Sequence, residues 1–169
     1  GEKANEAARI AVDGLLEDDL GKIDQALALD DAIDDLEVEI DQASVRYITL
    51  RSPVSSDVRS ILVAIKASHD LERAGDEAHS IALRAKEILT CDGRSGDTVT
   101  IAQMSQLSCS MMTDAISALV EEDVELAKAV IVRDKKVNEL HQQNFETLTI
   151  GAHEDGTKTP TRFQKVFIS

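Results

Sequence analysis

The segment LLEDDLGKIDQALALDDAIDDLE (15–37) lies without a gap over LVEEDVELAKAVIVRDKKVNELH (119–141), an offset of 104 residues (119 less 15). Leu15, Glu17, Asp19, Asp30 and Leu36 fall on Leu119, Glu121, Asp123, Asp134 and Leu140, and apolar meets apolar at 20, 27 and 33. A chain that repeats itself in this way is built from two like units. The local pattern within each unit is helical. Ala7, Ile10, Ala11 and Leu15 keep helical spacing over about 7–16, and "EDD" at 17–19 interrupts it, with Asp19 placed as an N-cap. Leu20, Ile23, Leu27, Ile33, Leu36, Ile40, Ala43 and Ile48 then continue as one second helix. Pro53 ends it by disfavouring helix at Ser52, and Ser55 or Ser56 can cap the next one. The third helix is predicted over about 56–89 and is closed by CDGRSGDT (91–98). A fourth carries Met104, Leu107, Met111, Ile116 and Leu119 up to the second acidic break at 121–123.

The sequence therefore predicts an all-α fold of two three-helix repeats, over 1–92 and 99–169. The second copy is expected to lose helical character at TIGAHEDGTKTP (149–160) and to begin a third helix in TRFQKVFIS. Positions 72 and 76 plus the offset fall beyond Ser169, so the last helix is expected to be truncated; the Gly-Glu-Lys start likewise suggests that the native N-terminus is absent. Composition fits helices packed through small aliphatic residues: 43% of the chain is hydrophobic but only 2% aromatic, and only two Pro and eight Gly interrupt it.

Thirty-two acidic against 18 basic residues give a formal net charge of −14, which disfavours nucleic acid and anionic membrane surfaces as ligands. A cation or a basic protein surface is the better electrostatic match. Cys91 and Cys109 have no metal-ligand spacing and read as free thiols in a reducing compartment. There is no apolar run long enough to span a bilayer, and the chain is expected to be cytoplasmic. No nucleophile triad and no phosphate loop of the GxxxxGK type stands out.

The informative stretch is LERAGD (71–76), which puts Glu72 and Asp76 four residues apart on one helical face, where like charges weaken a helix by a few tenths of a kcal/mol. The turn centred near residue 53 makes the second and third helices antiparallel, so that residues are level when their numbers sum to about 106. Asp30 is then level with Asp76, Asp34 with Glu72, and Glu37 with His69, while His79 falls beside Asp76. That spacing admits two readings. Either the four carboxylates, with Glu37, His69 and His79 as accessories, hold a hard or borderline cation such as iron, manganese, magnesium or calcium, or they are members of a solvated acidic face. Arg51 and Arg73 are the candidate ion-pair partners for the second reading. Gly75, unfavourable by about 1 kcal/mol inside a helix, fits either a ligand or a neighbouring helix in close approach.

DDAID (30–34), SPVSSDVR (52–59) and LERAGD (71–76) occur in order at a spacing that resembles the PhoU family of phosphate-transport regulators, over nearly the whole chain. The resemblance implies a six-helix bundle without catalysis of its own, carrying a metal cluster of iron or else of manganese, magnesium or zinc. It places the first metal site on Asp30, Asp34, Glu72 and Asp76. In the second repeat only Asp134 matches, since Asn138 replaces the second acid, and Glu77 and His79 stand where the family often has a small residue or Asn after the GD pair. The resemblance further implies a homodimeric negative regulator of the phosphate-starvation response. Its partners would be the ATPase subunit of a phosphate ABC transporter and a sensor histidine kinase, at the inner face of the membrane. The competing class is a ferritin-like di-iron oxidase or iron store, whose bundle uses Glu-x-x-His on each of two helices. Only Asp76-x-x-His79 approaches that motif, with Asn138-x-x-His141 as a carboxylate-free echo.

Overall fold

The computed structural model describes residues 1–90 and 98–154, which form six helices and, among the described residues, no strand. They are α1 (Glu2–Glu17), α2 (Leu20–Ala28), α3 (Asp30–Arg51), α4 (Ser55–Thr90), α5 (Thr98–Val120) and α6 (Val124–Glu154). The fold is all-α, as the periodicity predicts. Cys91, the CDGRSG turn and TRFQKVFIS lie outside the described residues.

The sequence repeat is also a repeat of hydrogen bonds. Asp18 closes α1 with a positive φ of 61°, and Glu122 stands at the end of α5 with a φ of 56°. In the first copy the Asp19 N–H donates to the Gly14 carbonyl at 2.9 Å; in the second, the Asp123 N–H donates to the Ala118 carbonyl at the same distance. The next helix is capped alike in both. The Asp19 carboxylate accepts from the Gly21 and Lys22 N–H groups, and that of Asp123 from the Leu126 N–H.

Three features differ from the sequence expectation. The first helix starts at Glu2, five residues before the apolar pattern becomes regular. The expected single second helix is divided at Leu29, whose N–H turns back to the Ala26 and Leu27 carbonyls while its own carbonyl accepts from Ile33. This is a one-residue tightening rather than a loop, so the hydrophobic period runs through it; it makes Asp30 and Asp31 the first turn of α3, where the helix dipole favours acids. At the other end, α6 continues through 149–154, where loss of helix was expected.

The core is a seam of alanines. Ala11, Leu15, Ile23, Ala26, Ala82, Ala85 and Ile88 join α1, α2 and α4, and Ala4, Ala7, Ile33 and Ala78 extend the seam along α1, α3 and α4. Small side chains let helix axes approach closely. Helix α1 packs on α4, α2 and α5, and α6 packs on α5. With 16 residues, α1 covers only part of the 36-residue α4. Among the described residues Leu36, Ile40 and Ile48, expected on the core face, are 39%, 37% and 40% exposed. Among the described residues no helix is long and apolar enough to cross a membrane.

Candidate metal centre

The register of α3 against α4 is set at two points. Ser52 closes α3 in the left-handed region (φ 43°), its N–H bonded to the Ile48 carbonyl at 3.2 Å, and Pro53 keeps the connection short. At the far end Ile33 lies over Gly75, where an added Cβ would meet Ile33 Cδ1 at 2.9 Å and Cγ2 at 3.0 Å. Close helix packing is thus the reason for a glycine inside α4. Ile33 is buried, and its neighbours along the same turns, Asp30, Asp34 and Glu37, are carried to the acidic side of α4.

The structure brings together all seven residues singled out on these two helices. Asp30, Asp34 and Asp76 form one group whose ligand oxygens all lie within 4.8 Å of one another, and Glu37, His69 and Glu72 form a second on the same criterion. Glu37 and His69, expected as accessories, are therefore as close to Glu72 as the principal acids are to each other. His69 Nδ1 lies 3.1 Å from Glu37 Oε1 and 3.9 Å from Glu72 Oε2. His79 differs from the expectation: its Nδ1 is 2.6 Å from Asp30 Oδ2, across the helix pair, rather than set against Asp76 on its own helix.

Electrostatic strain is concentrated at the middle of the stripe. Loss of hydration, then the charges of Asp30 and Asp76, push the Asp34 carboxyl above its ordinary range. Loss of hydration, then Asp76 and Glu37, do the same to Glu72, and the nearby His69 only partly opposes them. Among the described residues no Lys or Arg forms an ion pair with any of these carboxylates; Arg51 and Arg73, the candidate neutralising residues, pair with none of them. The nitrogen groups nearest to them are the two imidazoles. His79 Nδ1 is shut off from solvent against Asp30 Oδ2, 2.6 Å away. Oxygen-rich donors from facing helices, uncompensated by basic residues and with an imidazole nitrogen at one end, fit a divalent cation. Asp134, the possible second-site acid, accepts from the Asn138 side chain at 3.0 Å.

A repeated helical bundle with a two-helix acidic stripe defines the class of the protein as an all-α repeat bundle. Sequence comparison makes it specific: the PhoU domain model matches residues 1–85 and 101–166, and the chain belongs to the PhoU family. The "Phosphate-specific transport system accessory protein PhoU homolog" of Aquifex aeolicus is 37% identical over 145 residues, covering 85% of this chain and 65% of that protein. The protein of the same name from Pseudomonas aeruginosa is 32% identical over 145 residues, 86% of this chain and 60% of the relative. The chain thus spans somewhat under two thirds of the length of these relatives. The crystal structure of PhoU from Pseudomonas aeruginosa superposes with a TM-score of 0.91 at 28% identity, over 99% of this chain and 79% of that one.

Proposed function

We propose that this chain is a non-enzymatic regulator of phosphate uptake that binds a metal ion through Asp30, Asp34, Glu72 and Asp76. The observation that carries this reading is the meeting of DDAID and LERAGD across α3 and α4 in a protein of the PhoU family. A bound cation would supply positive charge to a stripe that basic side chains leave uncompensated, tying the two helices together. The chain acts on the cytoplasmic side, as a homodimer whose acidic surface docks onto basic faces of the transporter's ATPase subunit and of a sensor histidine kinase, restraining the starvation response. Its relatives' names, as accessory proteins of a phosphate-specific transport system, support the transporter partner. The net charge of −14 supports a basic docking face.

The test is binding of the purified chain to the purified ATPase subunit, with and without added cation. Saturable binding that weakens with salt is expected. No binding in any metal state would overturn the partner assignment. The ferritin-like reading is less well supported, because α4 alone carries both imidazoles whereas that chemistry draws a Glu-x-x-His from each of two helices. Oxygen consumption on adding ferrous ion would reverse that preference.

A further inference from the structure

We propose that the turn between α3 and α4, with the helix ends that flank it, docks directly onto an anionic lipid surface. The inference goes beyond the proposed function, which brings the chain to the membrane through protein partners, and it does not depend on bound metal. It starts from an uneven distribution of charge. Residues 43–68 carry Arg46, Arg51, Arg59 and Lys66 against Asp57 alone, a net +3; the chain total of −14 then leaves −17 on the remainder. The acidity that disfavours an anionic membrane is thus a property of the rest of the molecule. All four cations are exposed, and none forms an ion pair with a described residue. Elsewhere cations are committed: Arg9, Lys22, Lys86, Lys128, Arg133 and Lys136 each pair with a carboxylate. Acidity resumes at Asp41 on α3 and Asp70 on α4. From Arg51 back to Asp41 is about 15 Å of helix, beyond the roughly 8 Å over which exposed charges act at physiological salt.

Apolar side chains stand in the open beside these cations. Val45 is 63% exposed, Leu50 74% and Val54 67%, with Tyr47 at 46%. At about 100° per residue, Val45 and Tyr47 point to opposite sides of α3, with Arg46 and Leu50 between them. A groove in a protein partner takes one face of a helix. The headgroup layer of a bilayer surrounds whatever enters it, and accepts apolar and basic groups from every side. Tyrosine suits that boundary, having an apolar ring and a polar end. The distribution of these groups around the helix therefore favours a bilayer over an acidic protein face.

The experiment is flotation of the full chain with vesicles of phosphatidylcholine alone and of an equal mixture with phosphatidylglycerol, at low and high salt. Binding is expected to the mixed vesicles only, and to weaken as salt rises. Arg46→Gln/Arg51→Gln/Arg59→Gln should weaken it by about fivefold per charge, on the order of 100-fold in all. Leu50→Ser/Val54→Ser should weaken it at both salt concentrations. Circular dichroism checks the fold of each variant. Because the chain holds no Trp, a second readout keeps every charge in place. The emission of Tyr47→Trp should shift to the blue on mixed vesicles, whereas that of Val132→Trp, on α6 where Val132 is 65% exposed, should not. No binding to mixed vesicles, binding unchanged in the arginine variant, or a blue shift at 132 instead of 47 overturns the inference. Capture of soluble polyglutamate in preference to mixed vesicles, lost in the arginine variant, overturns it too and assigns the surface to an acidic protein. None of these outcomes touches the transporter partner, which is read from binding to the purified ATPase subunit.

Discussion

Asp34 and Glu72 sit on opposite helices within the same field of negative charge, and their carboxyls bind protons more tightly folded than unfolded. The consequence for stability has a definite sign. The metal-free protein has the full benefit of these two groups below their ordinary values of 3.8 and 4.5, and loses it as pH rises through the higher folded values. Urea midpoints of the metal-free chain should therefore be depressed toward neutral pH relative to Asp34→Asn, with the gap closing in acid. Cation uptake should run the other way, falling as pH drops through that window, because protons and metal compete for the same oxygens. The four principal acids were legible in the sequence, since four-residue spacing and a short turn are enough to align them. The reach of His79 to Asp30 was not, because number sums fix which turn a residue occupies but not which way its side chain leans.

The contact between Ile33 and Gly75 is where the α3–α4 pair is closest, and it is testable as a unit. Gly75→Val should lower stability by about 1–3 kcal/mol through overpacking. Ile33→Val removes the Cδ1 atom nearest to the new side chain, so the double variant should recover part of the loss, a coupling that a double-mutant cycle in urea would detect. The repeated cap makes a matched pair of predictions: Asp19→Ala and Asp123→Ala should each cost about 1 kcal/mol, read from the same denaturation curves. Asp19 as a cap was legible, because an acid standing just before a regular apolar period is a start signal. The division at Leu29 was not. A helix that tightens by one residue leaves its hydrophobic pattern unbroken, and periodicity detects loops rather than changes of pitch.

The alanine seam makes stability uneven across the molecule. Ile23, 0% exposed where α1, α2 and α4 meet, should cost about 2–5 kcal/mol when cut to Ala. Amide exchange should be slowest around residues 78–88 of α4, where the buried cluster lies, and much faster toward the exposed Tyr47 and Leu62. Uniform protection along α4 would contradict this picture. The apolar period had suggested a core face along the whole of α3, whereas Leu36, Ile40 and Ile48 are more than a third exposed, because periodicity reports which side of a helix is apolar and not how deeply it is covered. From its anchorage at Ile33 to its end at Arg51, α3 extends roughly 27 Å at about 1.5 Å per residue. A tilt of about 5° of the joined α3–α4 pair at Ile33 would carry its Pro53 end about 2 Å, so a small change of packing at the stripe would be read out far from it, at the turn that joins the two helices.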